Sequence, residues 1–184
     1  LISQGEILQL QHRGNVDMLE ETYLKIISNK TAALFLAAAK IGPIITEKEN
    51  KYKDALESYG KNLGLTFQIA DDTLDYNSDL KVFGKSIGND FFEGKVTLPI
   101  ILLFQKINDD EKKILKDFFI KDNRDENDLK IVLELIKNYN VINECYKKAE
   151  HYISLASNSL NIFKNSIDKD ILRNLTTFSL ERNF

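Results

Sequence analysis

Apolar residues recur at intervals of three and four positions along most of the chain, and strict alternation of apolar and polar residues is scarce. The first pattern is typical of amphipathic helices, whereas the second would indicate strands. Only 2 prolines and 8 glycines interrupt the helical spacing. The sequence therefore predicts an all-α protein in which several helices pack as an antiparallel bundle.

Glycine, proline and capping residues predict where the helices begin and end. The second helix is expected to stop before Gly42 and Pro43, because this pair is a helix-stop signal. Thr46 and Glu49 have the spacing of a capping box and are expected to start the third helix. The predicted helices cover residues 1–11, 19–41, 46–76, 96–107, 109–120, 125–138, 141–164 and 168–182.

Two polar segments separate predicted helices. Residues 77–95 are rich in Asn, Ser, Asp and Gly, which predicts a functional loop rather than a regular element. Residues 121–128, with the sequence KDNRDEND, are interpreted as a solvated acidic connector without a function of its own. No repeat or linker divides the chain, so a single domain over residues 1–184 is expected.

Composition excludes several classes of protein. With 184 residues, 43% of them hydrophobic, the chain can bury one substantial core. Its net charge of -3 gives no basic surface for nucleic acid. No apolar run reaches the roughly 18 residues that a membrane-spanning helix needs.

Cys145 is the only cysteine, which excludes an internal disulfide and indicates a reducing, cytoplasmic compartment. We interpret it as a half-buried helix residue rather than a catalytic thiol. The chain begins at Leu1, inside a periodic pattern and without an initiator Met. We therefore expect it to be a piece of a longer protein.

An acidic helix face is the first candidate for chemistry. Gln68, Asp71, Asp72 and Asp75 lie at offsets of 0, 3, 4 and 7, which is one face of a helix. Each like-charge pair costs about 0.2–0.5 kcal/mol in water, and the negative end of the helix dipole adds to this cost. A solvated acidic face is the alternative, but the flanking segment LGLTFQIA is apolar. A divalent cation would remove the repulsion, and oxygen ligands without nearby Cys or His favour Mg²⁺ over zinc.

Lysines near this face indicate a phosphate-bearing substrate. Lys85 and Lys95 each follow a glycine, and glycine permits tight turns and close approach to a ligand. Cationic side chains beside a metal site favour an anionic substrate. Lys30 and Thr31 are a further candidate pair, because the apolar run AALFLAAA follows them. A solvated helix lysine is the alternative for Lys30.

Five motifs occur in an order and spacing that resemble those of a trans-isoprenyl diphosphate synthase, in particular its C-terminal portion. They are GEILQL (5–10), SNKTAALF (28–35), GLTFQIADDTLDY (64–76), GKSIGNDFFEGKVTLPI (84–100) and the closing LERNF. The resemblance extends over essentially the whole chain. The form GEILQL is similar to that of long-chain synthases, which make octaprenyl or nonaprenyl diphosphate for quinone tails.

The resemblance implies a helical bundle around a deep cavity and an enzyme that joins isopentenyl diphosphate, head to tail, to an allylic diphosphate such as farnesyl diphosphate. Mg²⁺ ions would hold the allylic diphosphate, and the enzyme would be a homodimer. Asp71, Asp72 and Asp75 would form the second of two metal-binding aspartate motifs, with Asp71 as a direct ligand. The residues expected to contact the allylic diphosphate are Lys30, Thr31, Gln68, Lys85 and Lys95, with catalytic roles for Lys30, Gln68 and Lys85.

The resemblance also implies what the chain lacks. The first aspartate motif and the basic residues that bind isopentenyl diphosphate have no counterpart here, so we expect the isolated chain to have negligible turnover. Alternatives are a non-catalytic subunit that partners a full-length synthase, and a terpene cyclase. The alanines at 32, 33 and 37–39 could line a product tunnel or serve close helix packing. A shortened bundle would expose apolar faces, so we expect dimer contacts or poor stability.

Overall fold

The computed structural model describes residues 1–77 and 87–180, and within these ranges the regular structure is helical. The predicted all-α architecture is confirmed. In chain order the elements are α1 (Ile2–Gln11), α2 (Glu20–Ile27), a π-helical turn (Ser28–Ala32), α3 (Ala33–Ile45), α4 (Asn50–Leu74), α5 (Asn89–Phe92), α6 (Leu98–Lys106), α7 (Asp109–Ile120), α8 (Glu126–Asn138), α9 (Val141–Ser159), a 3-10 turn (Leu160–Ile162) and α10 (Ile167–Phe178).

Helix α4 is the centre of the bundle and packs mainly between α3 and α9. Its C-terminal half is buried on most sides, so Leu65 and Ile69 belong to the main core with residues of α2, α6 and α9. Glycines allow α3 to approach closely. A Cβ added to Gly64 would lie 2.5 Å from the Cα of Ala32. For Ala32, which is fully buried, the close-packing interpretation of the alanines therefore applies.

The junction between α3 and α4 corrects two predictions. Pro43 does not stop the helix but lies inside it, and α3 ends at Ile45. Thr46 does not start a capping box, because its hydroxyl donates to the carbonyl of Gly42 at 2.9 Å and so ends α3 instead. Glu49 is the N-cap of α4 without a side-chain capping bond. A proline near the end of a helix removes a single backbone donor, which leaves the last turn intact.

The predicted second helix, residues 19–41, is also divided. The turn Ser28–Ala32 is π-helical and lies between α2 and α3. Such turns occur inside otherwise α-helical segments and are frequent at functional sites. Lys30 and Thr31 are in this turn, so its π-helical geometry sets where their side chains point. The apolar spacing of the sequence does not reveal this turn.

The C-terminal helices follow the sequence closely. Asn108 caps α7 and forms a capping box with Glu111, and Asp125 caps α8 in the same way with Asp128. The connector between them is largely exposed, as predicted. Arg124 attaches it to the bundle, because it donates to the carbonyls of Phe92 and Phe119 at 3.3 and 2.7 Å.

Cys145 is fully buried in α9 rather than half-buried. This burial raises the pKa of its thiol to about 12, as expected of a packing residue and not of a nucleophile.

Helices α1 and α3 each present an uncovered apolar face. Ile7 and Leu10 of α1 are exposed, as are Leu34, Ile41 and Ile45 of α3, the last with 74% of its surface accessible. Ala37 and Ala38 are exposed on α3 too. None of the helices described here combines the length and apolar character needed to cross a membrane.

Candidate active site

Asp72 lies near the C-terminal end of α4 and is buried, with 5% of its surface exposed. Its Oδ2 accepts a hydrogen bond from the hydroxyl of Tyr23, and its Oδ1 accepts one from Nε2 of Gln68, both at 2.7 Å. Burial raises the pKa of Asp72 to about 8, and the charges of Asp90 and Asp71 act in the same direction. The hydrogen bonds from Tyr23 and Gln68 oppose this rise. The carboxyl is therefore held at two points in a strongly acidic neighbourhood.

Gln68 connects α4 to the π-helical turn. The hydroxyl of Thr31 donates to Oε1 of Gln68 at 2.7 Å. The amide nitrogen of Gln68 therefore faces Asp72 and its oxygen faces Thr31. The four residues Thr31, Gln68, Asp72 and Tyr23 thus form a continuous hydrogen-bonded series, which we call the polar chain.

Asp75 has a different environment from Asp72 although it lies on the same helix face. Its carboxylate accepts hydrogen bonds from the backbone N–H groups of Asn89 and Asp90, at 3.2 and 2.9 Å. The backbone carbonyl of Asp75 also accepts from the N–H of Gly88 at 2.8 Å, where Gly88 has a positive φ of 83°. Asp75 therefore fixes the start of α5 against the end of α4.

Asp90 is a site residue that the sequence reasoning did not select. Burial raises its pKa, Lys95 opposes the rise, and Asp71 adds to it. Asp90 lies in the segment GKSIGNDFFEGK, between the two lysines that were selected. Its position in that segment, and not its spacing from the aspartates of α4, is the signal that could have identified it.

Lys95 lies beside this acidic group, as predicted. Its Nζ is 3.3 Å from Oδ1 of Asp90 and 2.7 Å from Oε2 of Glu93. Partial burial lowers the pKa of Lys95, but the hydrogen bond to Glu93 and the charges of both acids outweigh burial and raise it. Lys95 is thus held in its charged form next to the carboxylates.

Lys30 is oriented by helix α1. Its Nζ is 2.8 Å from Oε2 of Glu6 and 2.7 Å from Oε1 of Gln9. Gly5 permits this approach, because a Cβ there would lie 2.7 Å from the backbone nitrogen of Lys30. The charge of Lys30 also contributes to lowering the pKa of Glu93, so it is felt in the group around Lys95. Lys30 is therefore held by two side chains of α1, while 32% of its own side chain stays exposed to solvent.

Two further residues were predicted to belong to the site, Asp71 and Lys85. Asp71 is only half-buried and is the most accessible of the three motif aspartates. Lys85 lies outside the described residues. Within residues 1–77 and 87–180, no three Asp, Glu, His or Cys side chains are arranged to hold a metal ion together. The available donors near Asp71 are carboxylate oxygens, which is the chemistry that a hard divalent cation prefers.

Known proteins share both the sequence and this arrangement. The sequence profile described as polyprenyl synthetase matches residues 1–136. An all-trans-nonaprenyl-diphosphate synthase (geranyl-diphosphate specific) from Rhodobacter capsulatus is 34% identical over 181 residues, which is 98% of this chain and 55% of the relative. A geranylgeranyl diphosphate synthase from Sulfolobus acidocaldarius is 34% identical over 184 residues, covering 99% of this chain and 56% of that relative.

Among solved structures, a polyprenyl synthase from Caulobacter crescentus in complex with calcium and isoprenyl diphosphate superimposes with a TM-score of 0.93 at 33% identity. The match covers 100% of this chain and 56% of that one. The chain therefore spans about half the length of the relatives it matches, and their names differ in product length.

Proposed function

The chain belongs to the polyprenyl synthetase family, and from this premise we propose that it supplies one side of the active site of a prenyltransferase. That enzyme would condense isopentenyl diphosphate with an allylic diphosphate. One observation carries the proposal: α4, the π-helical turn and the segment around α5 bring acidic and basic side chains into one group. Besides burial, the charge of Asp90 raises the pKa of Asp72 and the charge of Asp71 raises the pKa of Asp90. Lys95 contacts Asp90, and the polar chain connects Asp72 to Thr31.

Mg²⁺ is the metal that we propose for this group. The fit rests on the donors, since the described acids near Asp71 offer carboxylate oxygens. Besides burial, the charge of Asp71 raises the pKa values of Asp72 and Asp90. Asp71, Asp72 and Asp75 would hold the ion, with Asp71 as the direct ligand because it is the least buried. When bound, Mg²⁺ would stabilise the negative charge that develops on a departing diphosphate.

The basic and amide side chains would bind the allylic diphosphate. Lys95 already forms ion pairs with carboxylates. A diphosphate bound beside these carboxylates would offer Lys95 equally good anionic partners. Lys30 is held by Glu6 and Gln9 and could exchange these contacts for phosphate oxygens. Thr31 and Gln68 would position the substrate between the two lysines, and Lys85 would also contact the diphosphate.

The product is proposed to be a long-chain all-trans polyprenyl diphosphate of octaprenyl or nonaprenyl length, destined for quinone side chains, and made by a cytoplasmic homodimer. The support is the GEILQL form and the nonaprenyl relative. The geranylgeranyl relative is equally similar, so the test must measure product length directly.

The chain alone should be inactive. It carries only one of the two aspartate motifs that the resemblance implies, and it spans about half the length of each relative. Purified chain, incubated with isopentenyl and farnesyl diphosphates and Mg²⁺, is expected to give no polyprenyl product above a boiled control. Robust condensation by this chain alone would contradict the expectation.

A chimera provides the positive test. The matched part of the Rhodobacter capsulatus synthase is replaced by this chain, and products are separated by chain length. We expect Mg²⁺-dependent synthesis of long-chain product, reduced at least about 100-fold by Asp71→Asn. Asp54→Asn, which changes an exposed aspartate on the same helix, is the matched control and should retain full activity. A folded chimera that makes no prenyl diphosphate would overturn the proposal.

A further inference from the structure

Tyr23 ends the polar chain, and its hydroxyl lies in the protein core with no direct access to a substrate. The residue is 2% exposed on α2 and is separated by 49 positions from Asp72, to which it donates. We propose that Tyr23 is a positioning residue: it fixes Asp72, which orients the Gln68 amide, which in turn directs the Thr31 hydroxyl. This inference rests on the proposed function, because it assigns Tyr23 to that active site.

The geometry at Asp72 is the first support. Both carboxylate oxygens are engaged, Oδ2 by Tyr23 and Oδ1 by Gln68. A carboxylate with one donor on each oxygen cannot rotate about its terminal bond without losing a hydrogen bond, and a lost bond is costly in a buried site. Removing the phenol would leave Oδ2 without that donor and release the rotation.

The second support is the direction of the Gln68 side chain. An amide can be reversed with almost no change in shape, so only its hydrogen-bond partners decide which atom faces which way. With Oδ2 of Asp72 held by Tyr23, Oδ1 faces Gln68 and accepts from Nε2, which leaves Oε1 to accept from Thr31. If Asp72 turned away, this preference would weaken and the Thr31 hydroxyl would lose its directed acceptor.

The third support is the continuity of the backbone. Tyr23 in α2 and Thr31 in the π-helical turn belong to adjoining helical segments, and both contact the same stretch of α4. The segment therefore holds α4 at two points, one buried and one at the candidate site. A displacement at Tyr23 has a direct route to Thr31 through three hydrogen bonds and does not require a change in fold.

A purely structural buried tyrosine is the competing explanation, and the chain contains a matched example. Tyr59 on α4 is also almost fully buried, and its hydroxyl donates to the carbonyl of Leu172 at 2.8 Å. That bond lies in the second core cluster, apart from the aspartates. Tyr59→Phe therefore removes a part-buried tyrosine hydrogen bond without touching the polar chain.

The experiment compares Tyr23→Phe with Tyr59→Phe in two settings. In the ¹⁵N-labelled chain, the side-chain amide signal of Gln68, assigned by its absence in Gln68→Ala, reports the hydrogen bond to Asp72. In the chimera, kcat and KM are measured separately. We expect Tyr23→Phe to shift the Gln68 signal, to speed its hydrogen exchange and to lower kcat by about 10–100-fold, with a smaller change in KM.

Tyr59→Phe should lower thermal stability to a similar extent and leave the Gln68 signal and kcat unchanged. An unchanged Gln68 signal in Tyr23→Phe, or an equal loss of kcat in both variants, would overturn the positioning role. If the unsubstituted chimera made no product, the proposed function would fail. The Gln68 signal would then still decide whether Tyr23 orients the amide.

Discussion

The carboxylate of Asp75 holds the backbone of Asp90, because its Oδ2 accepts the N–H of Asp90 at 2.9 Å while its Oδ1 accepts the N–H of Asn89. Two acids of one site are thus connected through a backbone hydrogen bond. The three motif aspartates consequently differ in this structure. Asp71 is accessible, Asp72 is fixed inside the polar chain, and Asp75 anchors the turn that carries Asp90.

Replacement of Asp75 should destabilise the fold. Asp75→Ala leaves two backbone N–H groups without their acceptor, so we expect the free energy of unfolding to fall by about 1–3 kcal/mol. Asp75→Asn retains one acceptor oxygen and should lose less. Urea denaturation followed by far-UV circular dichroism measures both changes. Asp54→Ala, at an exposed position of the same helix, should stay within about 0.5 kcal/mol of the unsubstituted chain. Equal effects of Asp75→Ala and Asp54→Ala would contradict the anchoring role.

For this part of the molecule, helical periodicity in the sequence predicted only which residues share a helix face. Offsets of 3, 4 and 7 predict one helix face for the three aspartates; Asp71 and Asp72 lie in the helix Asn50–Leu74, and Asp75 is its C-cap residue. Periodicity says nothing about which partner each carboxylate meets. Tyr23 and the backbone of Asn89 come from segments 49 and 14 positions away, and only tertiary packing brings them to the aspartates.

Stability should depend on pH through Asp72. Its pKa rises from the usual 3.8 to about 8 in the folded chain, chiefly through burial. Between these values the folded state binds a proton that the unfolded state has released. Raising the pH through this window therefore lowers the free energy of unfolding, and the decline levels off above about pH 8. Asp90, whose pKa is also raised by burial, acts in the same direction.

Asp72→Asn tests this dependence in metal-free buffer. The variant should show a shallower decline between pH 4 and pH 8, because only the contribution of Asp90 remains. Urea denaturation at several pH values gives the slopes, with Asp54→Asn as the control that keeps the original slope. If Asp72→Asn and the unsubstituted chain declined in parallel, Asp72 would not have a raised pKa.

Gly64 should be intolerant of a side chain. A Cβ there would lie 2.5 Å from the Cα of Ala32 and 2.9 Å from its Cβ, and the nearer neighbour is backbone. The helices must separate to admit it, which costs about 1–3 kcal/mol. Alanine gains roughly 1 kcal/mol over glycine in a helix, so we expect Gly64→Ala to destabilise by up to about 2 kcal/mol. Since Ala32 ends the π-helical turn, the hydrogen bond between Thr31 and Gln68 should weaken as well.

Gly42→Ala is the matched control for Gly64→Ala. A Cβ on Gly42 meets nothing within 4 Å. Alanine's helix preference and the restriction that Pro43 places on the preceding residue oppose each other there, so stability should change by less than about 1 kcal/mol. Urea denaturation compares the two variants. Equal stability of both would mean that α3 and α4 can separate without cost.

The sequence predicted some helix boundaries correctly and others incorrectly, depending on whether local capping bonds alone decide them. Helix α7 coincides with its prediction and α8 differs by one residue, because Asn108 and Asp125 cap them through bonds to their own first turns. The α3–α4 junction was wrong, since Thr46 had two possible partners and bonds backward to Gly42. The π-helical turn was missed because apolar residues flank it on both sides, so the sequence does not mark where the turn lies. The sequence therefore predicts a helix end where the capping side chain has one available partner, and fails where the side chain can bond to either of two helices.

Exposed apolar side chains of α1 and α3 should make the chain self-associate. Leu34, Ile41 and Ile45 of α3 are each more than half exposed, as are Ile7 and Leu10 of α1. Burying such faces against a second copy removes apolar surface from water. Sedimentation velocity should therefore show species larger than the monomer, increasing with protein concentration.

The double variant Ile41→Lys with Ile45→Lys should shift the distribution towards monomer. Ile167→Lys, which changes an equally exposed isoleucine at the start of α10, should leave it unchanged. A monodisperse, cooperatively melting monomer at all concentrations would show that the two faces do not need a partner.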